Sequence, residues 1–181
     1  MRRVYVLVEG PSDAAFLRRI LPKELLSNAE LVIAGGSSGI PSLARSVLVR
    51  RKCPVAVVMD SDSVDPDVIE ERQQSTEDLI RAADASIPVK VIAAIPEIEA
   101  WFLASPETIE RMVGQKVSEE WLFFGRRDPR GALTRLAKEN KKSWDINQAI
   151  SALDDQDIQR IRAIPEVAEL SAFLQETQQN H

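Results

Sequence analysis

Three apolar, β-branched segments of this chain each lead directly into acidic residues. Runs of this kind are typical of strands that are buried on both faces of a parallel sheet. Because the carboxyl ends of parallel strands lie at one edge of the sheet, where ligands bind, we expect the acids to converge there. The acids are Glu9 and Asp13 after VYVLV, Asp60 and Asp62 after VAVVM, and Glu97 and Glu99 after VIAAIP.

Carboxylates gathered at one edge repel one another strongly unless a cation neutralises them. Hard oxygen ligands favour Mg²⁺ or Mn²⁺ over softer metal ions. Each acidic pair taken alone is also compatible with a helix cap or a turn, and Asp65, which precedes Pro66, is predicted to be a cap. The repetition of the pattern, and the Asp-x-Asp spacing of Asp60 and Asp62, favour a shared metal site and phosphoryl-transfer chemistry.

The composition narrows the chemistry further. His181 is the only histidine and the last residue, so no internal histidine can act as a general base. Cys53 is the only cysteine, which excludes an intrachain disulfide. With so few histidines and cysteines, a zinc site is disfavoured. No apolar run approaches the ~20 residues that a membrane-spanning helix needs. We therefore predict a cytoplasmic protein that does not enter membranes and whose chemistry depends on carboxylates and bound metal.

The charge is unevenly distributed. The net charge of −5 argues against strong autonomous binding of nucleic acid, which usually requires a basic protein. The segment 126–142 nevertheless has seven Lys or Arg against two acidic residues. We predict that its first three arginines, Arg126, Arg127 and Arg130, contact nucleic acid, and the alternative is a solvated helix face.

The hydrophobic pattern predicts alternating strands and helices, which implies a parallel sheet with helices on both faces. The predicted strands are Val4 to Val8, Leu31 to Ala34, Pro54 to Met59 and Val89 to Ala94. The predicted helices are 12–26, capped by Ser12 or Asp13, then 41–51 and 65–84, one that begins near Glu97, and 106–114, 129–139, 145–153 and 165–177.

Two further motifs have a structural and a functional interpretation. The glycine-rich loop at 35–39 is predicted to be a strand-to-helix turn, with a phosphate cradle as the alternative. Ile98, Trp101 and Phe102 have helical spacing and are predicted to be core. For the aromatic residues in 121–124 we favour packing between the sheet and the C-terminal helices over base stacking.

The segments VLVEGPSDAAFL and AVVMDSDS resemble the Toprim domain, which is shared by topoisomerases, bacterial primases, small recombination proteins and OLD-family nucleases. A third segment, IPEIEAWFLA, is similar to the one that follows the last sheet strand in OLD-like and small stand-alone bacterial Toprim proteins. The resemblance covers residues 1 to 105. It implies an α/β fold with a Toprim-like, four-stranded parallel sheet flanked by helices, followed by a helical extension, 106–181, packed on this core.

The resemblance also implies roles for the acidic residues. Glu9, Asp60 and Asp62 match the catalytic and metal-binding positions of the domain, and Asp13 with either Glu97 or Glu99 would complete a second metal position. The chain departs from the full-length nucleases because it has no ATPase domain of its own. The lysine that those enzymes use near the leaving group also has no clear counterpart, and the candidates are Lys90, Lys116 and Lys138.

These observations predict a Mg²⁺- or Mn²⁺-dependent phosphodiesterase, a nuclease, that acts on DNA or RNA. One alternative is a regulatory or partner subunit that keeps the fold and acts only with a separate ATPase. Another is a metal-dependent phosphatase or nucleotide-binding module. The sequence leaves open the choice between DNA and RNA, the oligomeric state and whether the chain is active alone.

Overall fold

The structure, a computed structural model, describes residues 3–179. Within them, four strands form one parallel sheet in the order β2-β1-β3-β4, which confirms the predicted Toprim-like α/β architecture. The strands are β1 (Val4–Val8), β2 (Ala29–Ile33), β3 (Val55–Asp60) and β4 (Val89–Ala94).

The strand order creates a switch point between the two central strands. From β1 the chain moves to β2 on one side, and it then crosses back to β3 on the other side of β1. In parallel sheets of this kind, the helices diverge at the carboxyl ends of the two strands at the switch point, and ligands bind there. The residues that follow these two strands are Glu9 and Asp60, the last residue of β3.

Both faces of the sheet are covered. Alternate residues of the strands belong to two separate hydrophobic clusters, as the two-residue period of a strand requires. The Val4 face packs against the first helix and the C-terminal helices, and the Tyr5 face packs against the helices that follow β2 and β3. This double burial explains why the strands are apolar without interruption.

Helices account for most of the remaining chain. They are α1 (Pro11–Ile20), α2 (Lys23–Leu26), α3 (Ile40–Arg51), α4 (Pro66–Arg81), α5 (Pro106–Val113), α6 (Glu119–Gly125), α7 (Pro129–Glu139), α8 (Ile146–Ala152), α9 (Asp155–Arg162) and α10 (Pro165–Gln179). Short 3₁₀ helices span Ser37–Gly39 and Ile98–Ala104. None of the helices in the described part of the chain is long and apolar enough to cross a membrane.

Some predicted helices differ from the structure. The helix predicted over 12–26 ends at Ile20, because Leu21 is extended before Pro22, as residues before proline tend to be. Gly10, rather than Ser12 or Asp13, is the N-cap of α1. The segment after Glu97 is a 3₁₀ helix, and the sequence analysis did not predict α6 or α9.

The helical extension shares its core with the sheet. One hydrophobic cluster contains Val6 and Val58 from the strands together with Leu133, Ile161 and Leu170 from the extension. The chain is therefore held together across residue 105, and the domain boundary at that position stays a prediction.

Candidate metal-binding and catalytic site

Glu9 and Asp60 are adjacent at the switch point of the sheet. The backbone N–H of Asp60 donates a hydrogen bond to Glu9 Oε1 at 3.2 Å. The Asp60 carboxylate accepts one from the backbone N–H of Ile98 at 3.0 Å, so it also reaches the segment that follows β4. The residue that follows β1, the last residue of β3 and the backbone after β4 thus meet at one edge of the sheet.

Asp13 joins this group from the first turn of α1. Its carboxylate accepts hydrogen bonds from the backbone N–H of Gly10 at 2.8 Å and from the Ser12 hydroxyl at 3.3 Å. The Asp13 side chain therefore folds back toward Gly10, the residue that follows Glu9 in the chain. Burial raises the pKa of Asp13, and the negative charge of Glu99 adds to this effect.

Asp60 has the most perturbed carboxyl group of the site. Burial raises its pKa to about 7, and the charges of Glu9, Asp13 and Glu99 contribute to this increase. The hydrogen bond from Ile98 lowers the pKa but does not offset these effects. The site thus has more negative charge than its own protein donors stabilise, which is the condition in which a cation binds favourably.

Arg130, at the start of α7, lies among the remaining carboxylates. Its guanidinium forms a two-point contact with Glu99, with Nε to Oε1 at 2.7 Å and Nη2 to Oε2 at 3.1 Å. Nη2 also lies 3.4 Å from Glu97 and 4.0 Å from Asp60, and the Arg130 backbone N–H donates to Glu97 Oε1 at 2.7 Å. These contacts raise the pKa of Arg130, and burial raises that of Glu97.

Asp62 is turned away toward a different partner. The chain leaves β3 sharply, and Asp62 has a φ of 53°, in the left-handed region that Asp tolerates better than most residues. Its carboxylate pairs with Arg72 of α4 at 2.8 Å, and its side chain is 70% exposed. Of the Asp-x-Asp pair, the structure therefore brings Asp60 alone into contact with Glu9.

The possible metal ligands suit a hard divalent cation, because they are carboxylate oxygens. They surround Asp60, whose negative charge is not offset by its hydrogen-bond donors. In residues 3–179, no group of three or more Asp, Glu, His or Cys side chains is already arranged to hold a metal ion. Glu9, Asp13 and Asp60 are the side chains that could hold one by local adjustment, and Asp62 could join them after leaving Arg72.

The sequence predicts that Arg130 contacts nucleic acid, with a solvated helix face as the alternative, and it does not predict the contacts of Arg130 with Glu97 and Glu99. The local signal for its position was available, since Asp128 and Pro129 are a typical N-cap and first residue of a helix. Arg126 and Arg127 are exposed after α6. Their binding of nucleic acid, and that of Arg130, stays a prediction.

The aromatic residues of α6 divide into two groups. Trp121 packs against the core, as predicted. The prediction of buried packing is wrong for Phe123 and Phe124, which are each 63% exposed and lie with their rings 5.6 Å apart. The helix turns its Gly125 side toward α7 and so directs these two rings outward.

Among the candidate lysines, Lys90 pairs with Glu169, and Lys116 and Lys138 are exposed.

Comparison with solved structures agrees with this architecture. The C-terminal region of the Burkholderia pseudomallei OLD protein aligns with a TM-score of 0.53 over 97% of this chain and 98% of that chain, at 15% identity. That region is the Toprim domain of the OLD protein. The protein has a Toprim-like fold.

Two structures of the C-terminal region of the Xanthomonas campestris pv. campestris OLD protein also align with this Toprim-like chain, at 18% identity and with TM-scores of 0.48 and 0.46. The first alignment covers 97% of this chain and 98% of that chain, and the second covers 98% and 97%. No family model matches the sequence, and the search of curated proteins gave no significant match.

Proposed function

We propose that this chain is a cytoplasmic phosphodiesterase that cleaves nucleic acid with a divalent cation, Mg²⁺ or Mn²⁺, bound at the carboxyl edge of the sheet. The observation that carries the proposal is the meeting of Glu9 and Asp60 at the switch point, with the pKa of Asp60 raised to about 7. Strongly perturbed carboxyl groups in a crevice of this kind are typical of functional sites.

In the proposed reaction, a water oxygen attacks the phosphorus and the ester bond to the leaving sugar oxygen breaks. The water proton passes to a carboxylate, and the leaving oxygen takes a proton from solvent. A divalent cation supplies activation of the water and stabilisation of the developing negative charge. Asp60 would hold the cation, Glu9 would either bind it or accept the proton, and Asp13 and Asp62 would be supporting ligands.

The substrate would be guided by basic residues near this edge. Arg126 and Arg127 are exposed in the turn between α6 and α7, a few residues before Arg130 contacts Glu97. Phosphate contacts release condensed counterions, so charge reversal at both positions should weaken binding and flatten its dependence on salt. Fluorescence anisotropy with a labelled oligonucleotide at several salt concentrations measures both effects.

The proposed activity is tested by nicking of supercoiled plasmid and cleavage of single-stranded RNA in Mn²⁺. Wild type should cleave at least one of the two, and Glu9→Gln should lose roughly a hundredfold or more, the scale of a general-base or direct-ligand contribution. Glu30→Gln is the matched control, since Glu30 lies near the opposite end of the sheet and pairs with Arg3. Equal trace cleavage by wild type and Glu9→Gln would show that the activity is a contaminant.

A second candidate is a Toprim-fold subunit that needs a separate ATPase to present the substrate. Two observations favour it. The aligned structure from Burkholderia pseudomallei is the C-terminal region of its OLD protein, and Phe123 and Phe124 of this chain form an exposed apolar pair close to the basic turn. Metal binding without any cleavage by the isolated chain would support this candidate over the first.

A further inference from the structure

We propose that the Arg130 guanidinium occupies one of the two cation positions of the carboxyl edge, so that the site binds one divalent ion and not two. The inference rests on the metal site of the proposed function and goes beyond it, because it assigns the carboxylates to two different cations. Glu97 and Glu99 are assigned to Arg130, and Glu9, Asp13 and Asp60 are assigned to the metal ion.

The first support is the burial of Glu99. Its side chain is only 6% exposed, and a buried carboxylate is costly without a charged or hydrogen-bonding partner. Arg130 provides such a partner in the two-point geometry that guanidinium and carboxylate groups favour. Arg130 stays charged at every accessible pH, so it neutralises Glu99 permanently.

The second support is the way in which Arg130 is held. Asp128 caps α7 by accepting the Gly131 N–H at 3.1 Å, and the Arg130 backbone N–H is fixed on Glu97 at 2.7 Å. Backbone and guanidinium are therefore both tied to the same acidic segment. A Cβ atom at residue 131 would lie 2.1 Å from an Asp128 carboxylate oxygen, so a larger residue at this position would require the Asp128 side chain to move.

The third support is the distribution of charge. In the part of the chain that the structure describes, Glu9 and Asp13 form no ion pair with a lysine or arginine, whereas Arg130 contacts Glu97, Glu99 and, at 4.0 Å, Asp60. Two catalytic ions are typically about 3.5–4 Å apart. A second ion next to Glu97 and Glu99 would have to take the space and the charge role of the guanidinium.

The number of bound ions tests this directly. Mn²⁺ binding to the full chain, counted by electron paramagnetic resonance and by calorimetry, should give one ion for wild type and two for Arg130→Met, because Glu97 and Glu99 lose their counterion. Arg130→Lys should remain at one ion, since the positive charge is kept. Arg127→Met, which removes an exposed arginine of the same turn, should also remain at one.

Two ions of similar affinity in wild type would overturn the inference, whatever the variants do, and would leave the proposed nuclease function standing if cleavage is observed. A single ion in a folded Arg130→Met protein would also overturn it. If Arg130→Met does not fold, Arg130→Gln takes its place: it removes the charge, keeps hydrogen-bond donors for Glu99 and should also bind two ions, and a single ion in that folded variant would overturn the inference. No bound ion in wild type would instead refute the metal site of the proposed function, and the inference with it.

Discussion

Two aspartates, Asp157 buried and Asp60 partly buried, show how differently the same side chain can be used in one molecule. Asp157, in the helical extension, is 1% exposed and accepts hydrogen bonds from the Ser105 hydroxyl, the Arg111 guanidinium and the Asp154 N–H. Burial raises the pKa of Asp157, but these donors outweigh it and hold the pKa well below its usual range. Asp60, with a side chain that is 24% exposed, has its pKa raised to about 7.

Burial raises the pKa of both aspartates, and the groups around each carboxylate decide whether this effect is offset. The charge of Asp157 is satisfied within the protein, so this cluster contributes to the fold and has no need of a ligand. Asp60 has one hydrogen-bond donor, the Ile98 N–H, an arginine nitrogen 4.0 Å away and three acidic neighbours. The comparison shows that a buried carboxylate indicates a binding site when its charge is left uncompensated.

Asp157→Asn should give the largest loss of stability. An amide cannot serve all the donors that the carboxylate serves, and breaking a buried ion pair costs about 3–5 kcal/mol. Urea denaturation of wild type and variant gives the free energy of unfolding. Glu107→Gln is the control, because Glu107 pairs with Arg160 at the surface, where ion pairs contribute ~0–1 kcal/mol. Equal losses in the free energy of unfolding for the two variants would contradict a stabilising role for the buried Asp157 carboxylate.

Asp60→Asn should have the opposite sign and stabilise the metal-free protein. The carboxyl pKa of Asp60 is about 7 in the folded chain, against its ordinary value of 3.8, so the native state binds more protons and wild type loses stability as the pH rises from about 4 to 7. One pKa unit corresponds to about 1.4 kcal/mol, so the variant should gain ~2–4 kcal/mol at pH 8 and almost nothing below pH 4. Denaturation in EDTA across this range measures it. If Asp60→Asn is less stable than wild type at pH 8, the protein offsets the negative charge of Asp60 and the explanation is wrong.

Asp62→Asn should have the smallest effect on stability, below about 1 kcal/mol. The Asp62–Arg72 pair is exposed, and Asn is also tolerated at the positive φ of residue 62. The same urea experiment compares this variant with Asp60→Asn. A loss comparable to that of Asp157→Asn would mean that the Asp62–Arg72 pair is an essential part of the fold.

Much of the fold and part of the site could be predicted from the sequence. The strands and their acidic ends are local features, since apolar runs and turn residues act within a few positions. The same reasoning correctly predicted that Asp65 caps α4, where its carboxylate accepts the Asp67 N–H at 3.0 Å. It also correctly predicted that Trp101 and Phe102 are buried.

The remaining features depend on contacts that the sequence does not display. The contact of Arg130 with Glu99 spans 31 residues, and that of Ser105 with Asp157 spans 52. Whether an arginine lies at the surface or among carboxylates is decided by how the extension packs, because the local pattern is the same in both cases. For the same reason the outward orientation of Phe123 and Phe124 could not be separated from core packing.

The most direct test of the account is the thermal stability of wild type, Asp60→Asn and Asp157→Asn with and without Mn²⁺. A cation that binds only the native state stabilises it by about 2.7 kcal/mol at a hundredfold excess over Kd. We predict that Mn²⁺ raises the melting temperature of wild type and of Asp157→Asn, which keeps the site intact, and leaves that of Asp60→Asn unchanged. An equal rise in wild type and Asp60→Asn, or no rise in wild type, would contradict a metal site at the carboxyl edge of the sheet.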